Sequence, residues 1–89
     1  MKERIDLLLK RDGMDRTINW ALRTVDQYFI ATEDPYRYSS NYKLGFLREI
    51  ECLIEWLESQ DRLLVIQTSL WRMRLEALRA IYESKDCQK

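Results

Sequence analysis

A chain of 89 residues is one small domain, and a domain of this size buries only roughly 60–65% of the surface its unfolded form exposes. Apolar residues at 46% and charged residues at 34% exclude a disordered chain. Fifteen basic residues balance fifteen acidic ones, which counts against a nonspecific nucleic-acid binder while leaving room for a local basic patch.

Two glycines and one proline give little punctuation, so few and long elements are expected. Residues 2–11 suit a short amphipathic helix with Ile5, Leu8 and Leu9 on one face. Its apolar run is too short for a secretory core or a membrane span, and Asp6 interrupts it. With no signal peptide, Cys52 and Cys87 read as free thiols, and the protein as soluble and cytoplasmic.

Asp12-Gly13 ends the first helix. Asp12 is a candidate N-cap for a second helix over about 13–32, with Asp15 near its positive end. Ile18, Leu22, Val25 and Phe29 step by four, three and four and mark its expected buried face. Pro35 stops this helix because it disfavours helical geometry at Asp34. Asp34-Pro35 also suits the start of a single turn, with Asp as cap. Ser39 or Ser40 then caps a third helix over about 41–58, in which Gly45 costs about 1 kcal/mol relative to alanine. A close backbone contact would explain that glycine.

From Leu47 a heptad pattern runs without a slip through Ile50, Ile54, Leu57, Asp61, Leu64, Thr68, Trp71, Leu75, Leu78 and Tyr82. This spacing keeps the side chains on one helix face and predicts helix-on-helix packing. Two architectures satisfy it. In one, the last two helices are continuous, which places Asp61 in a seam where an unpaired carboxylate costs several kcal/mol. In the other, Ser59-Gln60-Asp61 turns the chain and a fourth helix covers about 61–84. That penalty favours the hairpin. Glu49, Glu51, Glu55 and Glu58 against Arg72, Arg74 and Arg79 fit either a hairpin or an antiparallel dimer of long helices. The tail from Lys85 is expected to fray. The fold class is therefore all-α: a small bundle of three to four helices in one domain, 1–89, with a long C-terminal helix or a helical hairpin.

The last helix carries a second apolar row, Leu63, Ile66, Leu70, Met73, Ala77 and Ile81. A small bundle does not easily bury two stripes of one helix, so self-association through this row is expected, with a symmetric dimer as the default.

Catalytic chemistry is poorly supplied. There is no histidine, which removes the usual general base, the Ser-His-Asp and Cys-His arrangements and histidine zinc sites. Gly13 and Gly45 stand alone, so no glycine-rich phosphate loop is present. Glu51, Glu55 and Glu58 share a helix face, but di-metal bundles use Glu-x-x-His motifs; a solvated acidic face is the plainer reading. Cys52, four residues from Arg48, reads as an inert thiol. No enzyme, metal or cofactor is expected.

Two surfaces stand out. Arg16, Trp20, Arg23, Thr24 and Gln27 lie beside the core stripe of the second helix. Trp with Arg is the pairing enriched at the energetic centres of protein interfaces. Trp20 half-packed against a neighbouring helix, with solvated arginines, is the competing reading. The second surface is Tyr36, Arg37, Tyr38, Tyr42, Lys43 and Arg48, where aromatic and basic residues interleave as on stacking platforms for single-stranded nucleic acid or a nucleotide-like anion. Tyrosines that merely tuck the loop against the bundle would give the same pattern.

Arg11-Asp12-Gly13 followed by Trp20-Ala21, Arg23-Thr24 and Tyr28 resembles a pattern in short bacterial and phage proteins. The resemblance covers only residues 11–28 and implies a bacterial or viral source without an activity. The expected function is that of a small non-enzymatic regulator, inhibitor or adaptor that binds another protein and self-associates. The alternative is a nucleic-acid or anionic-ligand binder acting through the tyrosine-rich loop.

Overall fold

The computed structural model describes residues 2–60 and 65–87, with the side chains of the last helix described through Glu83. These residues form four helices and no strand: α1 (Lys2–Asp12), α2 (Met14–Glu33), α3 (Ser40–Gln60) and α4 (Val65–Cys87). The fold is a small all-α bundle. No helix among the described residues is long and apolar enough to cross a membrane.

α1 carries Glu3 in its first turn and Lys10 and Arg11 in its last, matching the helix dipole at both ends. It stops at Gly13, whose N–H donates to the Leu9 carbonyl at 3.1 Å. Gly13 also starts α2, and here the expected cap is corrected. Asp12 does not cap α2; it closes α1, where Arg11 donates to it at 3.0 Å. The N-cap is Gly13 itself, at φ 86° and ψ 174°, with no side-chain cap bond. That backbone geometry is nearly exclusive to glycine, so the change of direction decides the residue and the capping preference gives way.

The buried face of α2 is Thr17, Ala21, Val25, Phe29 and Thr32, rotated from the expected stripe, while Ile18 and Leu22 are half-buried. Thr17 and Thr32 tolerate burial because each hydroxyl donates at 2.7 Å to a carbonyl four residues back in its own chain, Gly13 and Tyr28. With no polar group left to satisfy, small threonine and alanine surfaces become the packing face.

The end of α2 has no basic residue in its last turn. Its terminal carbonyls are met from elsewhere in the chain. Lys43 of α3 donates to the Asp34 carbonyl at 2.5 Å, and Tyr82 of α4 donates to the Thr32 carbonyl at 2.9 Å. The Lys43 ammonium also lies 5.4 Å from the Tyr82 ring centroid. A cation at the negative end of a helix is favourable, and this one ties three helices together. The Asp34 carboxylate accepts the backbone N–H groups of Tyr36 and Arg37 at 2.9 and 3.0 Å, forming the turn that carries the chain into α3. Those two bonds hold its pKa below the ordinary carboxylate range.

α3 and α4 pack against each other as an antiparallel pair. Arg72 reaches Glu58 at 2.6 Å and Arg79 reaches Glu51 at 2.7 Å, pairs whose numbers run in opposite directions along the two helices. This is the hairpin alternative: Glu58 and Glu51 of the acidic row of α3 are answered by Arg72 and Arg79 of α4, while Arg74 pairs with Glu33 of α2. The heptad residues Leu47, Ile50, Ile54, Leu57, Thr68, Trp71, Leu75 and Tyr82 are buried, joined by Leu53 and by half-buried Leu78. The Thr68 hydroxyl donates to the Val65 carbonyl at 3.1 Å. Asp61, Leu63 and Leu64 lie outside the described residues. Two expectations are corrected. α4 runs on to Cys87 rather than fraying from Lys85, and no close contact explains Gly45, because a Cβ built there meets nothing within 4 Å.

Candidate functional site

α1 folds back along α2, and the Trp20 indole sits on the surface where they meet. The Arg4 guanidinium lies over its ring, 5.6 Å from the centroid. Trp20 is half-buried and forms a ridge between two grooves, because it lines both of them.

The first groove, about 310 Å³, is walled by Arg4, Thr24, Gln27, Tyr28, Tyr38 and Phe46 besides Trp20. Its aromatic wall is ordered. Phe46 of α3 takes the Tyr38 ring edge-on at 5.0 Å and the Tyr28 ring at 5.4 Å, within the range that favours aromatic pairs. Arg37 lies over the outer side of Tyr38, 5.7 Å from its centroid. The Thr24 hydroxyl has its hydrogen committed to the Trp20 carbonyl at 2.7 Å, so toward a ligand it can only accept.

The second groove, about 360 Å³, is lined by Leu8, Arg11, Asp12, Arg16, Asn19 and Arg23 in addition to Thr17 and Trp20. Arg11 is held by Asp12. Arg16 and Arg23 enter no ion pair among the described residues. This groove therefore presents two guanidinium groups outside any ion pair beside an indole, with the Arg16 charge felt by Asp12 across the groove. Guanidinium forks bind carboxylates and phosphates in two-point fashion.

The structure thus gathers Arg16, Trp20, Arg23, Thr24 and Gln27 on one face and adds Tyr38 to it. Of the tyrosine-rich group, Arg37 and Tyr42 stay beside Tyr38, and the rest disperses. Lys43 is withdrawn from that surface, only 6% exposed and committed to the end of α2. Arg48 lies in a separate groove between α3 and α4, with Glu51, Arg79 and Glu83. Tyr36 is in open solvent, while Tyr42 lies 6.4 Å from the Tyr38 ring and borders a shallow recess shared with Tyr28, Phe46, Gly45 and Glu49. Cys52 is exposed beside Lys2, Ile5 and Trp56. No group of three metal-ligating side chains occurs among the described residues.

Sequence reasoning missed Arg4, Tyr28 and Phe46 as members of the face. Tyr28 carried a usable signal, because Trp20, Thr24 and Tyr28 step by four along α2. Arg4 and Phe46 carried none, since each arrives from another helix.

Tyr28 is the titratable group that reports on this face. Burial first, and the neighbouring Glu49 charge second, push its phenol above the ordinary tyrosine value, against a smaller opposing effect of Arg4. One carboxylate oxygen of Glu49 is itself buried without a hydrogen-bond partner. A phenol pKa raised on folding gives stability that is whole below the unfolded value of about 10 and is lost as pH rises through the folded value. In an alkaline titration of unfolding free energy, wild type therefore falls more steeply than Tyr28→Phe above that point; parallel curves would place Tyr28 in water.

No family model, curated protein or solved structure matches the chain.

Proposed function

We propose that this is a small non-enzymatic binding protein, a regulator, inhibitor or adaptor, that recognises another protein through the Trp20 face. The observation that carries this reading is the pairing of a ridge-forming indole with two unpaired arginines, flanked by an aromatic groove. A half-exposed tryptophan between two grooves offers a large apolar contact at low entropic cost. Arg16 and Arg23 select the charge of what lies beside it. The chemistry that fits is a segment with an apolar or aromatic anchor for the first groove and a carboxylate for the second.

The test is capture of partners from lysate by wild type and by two variants, followed by affinity measurement on the partner found. Trp20→Ala/Arg23→Ala removes the ridge and one guanidinium. Arg16→Glu/Arg23→Glu reverses charge at two exposed positions and leaves the packing untouched. Each is expected to weaken binding at least about tenfold, the equivalent of roughly 1.4 kcal/mol, with helicity unchanged. Equal capture by wild type and the charge-reversed chain would place the contact elsewhere.

The nucleic-acid alternative keeps Tyr38 and Arg37 but loses Lys43 to the interior, so the protein-binding reading is preferred. A single-stranded oligonucleotide that shifts in a gel at low salt and is released as salt rises would reverse that preference.

A further inference from the structure

The second apolar row of α4 is exposed from Ile66 through Leu70, Met73 and Ala77 to Ile81, with Leu63 outside the described residues, and nothing on it names an occupant. A recess where α2 meets α3 does. Tyr42, Gly45, Phe46 and Glu49 stand at positions i, i+3, i+4 and i+7, the spacing of a single helix face. Tyr28 of α2 adjoins that face, and the group lines a recess of about 270 Å³. The Tyr28 and Phe46 ring centroids are 5.4 Å apart, and Tyr38 lies 6.4 Å from the ring of Tyr42 on the outer side.

Three features of the recess point to one kind of ligand. The first is its carboxylate. Glu49 enters no ion pair among the described residues, and one of its oxygens is buried without a hydrogen-bond partner. A carboxylate shielded from water and left unpaired is unfavourable, and a cation bearing N–H groups relieves it. The terminal torsion of a glutamate is soft, so either oxygen can turn toward a donor in the recess. Arg4, whose charge also reaches Tyr28, does not serve, because it is engaged over the Trp20 ring. The second feature is the aromatic wall, since ring faces attract cations and accept the apolar stem behind them. The third is Gly45. Glycine weakens a helix interior, and a Cβ there would meet nothing within 4 Å, so packing does not call for it. A longer side chain at this position would stand in the recess, and glycine keeps it open.

From these features we propose that the recess formed by Tyr28, Tyr42, Phe46 and Glu49 binds an alkylammonium group, the side chain of a lysine presented by another protein. The methylene stem lies along the rings and the ammonium meets Glu49. Tyr42 is 67% exposed, so the recess is too open to enclose a free small molecule, whose sites bury most of the ligand. A side chain held by its own backbone needs no such enclosure. The site uses neither Arg16 nor Arg23 and stands without the Trp20 reading.

The experiment is an amide NMR titration of the full chain with a capped tripeptide carrying a central lysine. The chain has two glycines, so Gly45 reports on the recess while Gly13, roughly 22 Å from Tyr28 along α2, is the internal control. The Gly45 signal is expected to shift saturably and the Gly13 signal to stay. The same tripeptide with norleucine in place of lysine is expected to move neither. Glu49→Gln, read at Gly45, and Gly45→Leu, read at Phe46, are each expected to weaken binding at least about tenfold with helicity unchanged. The Arg16→Glu/Arg23→Glu chain is expected to keep the Gly45 response, so this proposal and the Trp20 reading fail separately. A Gly45 shift no larger than sodium chloride produces at equal ionic strength would overturn the proposal, as would undiminished binding by Glu49→Gln. n-Butylammonium, which lacks the flanking backbone, is expected to bind more weakly than the tripeptide; equal affinity would overturn the protein partner and leave the recess to a free amine.

Discussion

Phe29→Ala lowers the unfolding free energy by about 3–5 kcal/mol, the range for truncating a buried aromatic. Phe29 has no exposed surface, and it stands where α2 is met by both α3 and α4. The guanidinium of Arg74 lies over its ring, 4.5 Å from the centroid, while also pairing with Glu33. Removing the ring therefore leaves a cavity and takes away the surface on which the α4 arginine rests. Natural domains hold only about 5–15 kcal/mol in total, so this one change takes a large share of what keeps the chain folded. Urea titration followed by circular dichroism measures it. A loss below about 1 kcal/mol, the scale of an unremarkable surface change, would mean that the helices meet elsewhere.

The second large effect separates two glycines. A methyl group added at Gly13 or at Gly45 meets nothing within 4 Å, so packing cannot distinguish the two changes. Backbone conformation does. Gly13 sits at φ 86° and ψ 174°, a region whose occupation by another residue costs about 1–3 kcal/mol. Gly45 is an exposed position inside α3, where alanine is better than glycine by about 0.5–1 kcal/mol. Gly13→Ala is thus expected to lower the melting temperature and Gly45→Ala to raise it. Two shifts of the same sign would refute the α1–α2 junction described above.

The heptad row from Leu47 to Tyr82 was legible because long-period apolar spacing survives any detail of the turn within it. Thr68 kept its place in that row, as its hydroxyl has a carbonyl of its own helix to bond. The buried face of α2 was read half correctly, Val25 and Phe29 being buried as expected and Ile18 and Leu22 only half-buried, for the same physical reason. Large apolar residues were taken to face inward, whereas Thr17 and Thr32 satisfy themselves and pack as small surfaces. Lys43 was misplaced because its partners, the Asp34 carbonyl and the Tyr82 ring, lie on other elements. No local pattern marks a lysine as the cap of a distant helix. The Trp20 face was half legible. The residues from α2 follow from helical spacing, while Arg4, Tyr38 and Phe46 join them only once three helices and a loop have come together.

Both grooves beside Trp20 borrow a wall from α1, through Arg4 in one and Leu8 and Arg11 in the other. Yet Ile5 is the one residue of α1 that is fully buried. The helix that completes the proposed recognition face is also the one with the thinnest anchor, and it hangs from a glycine. Undocking of α1 and occupation of the grooves therefore form a single linked equilibrium. The apparent affinity of any occupant is its intrinsic affinity scaled by the fraction of molecules with α1 seated, and each bound occupant seats the helix in return. A mutation at Ile5, outside both grooves, would tune binding without touching what is bound.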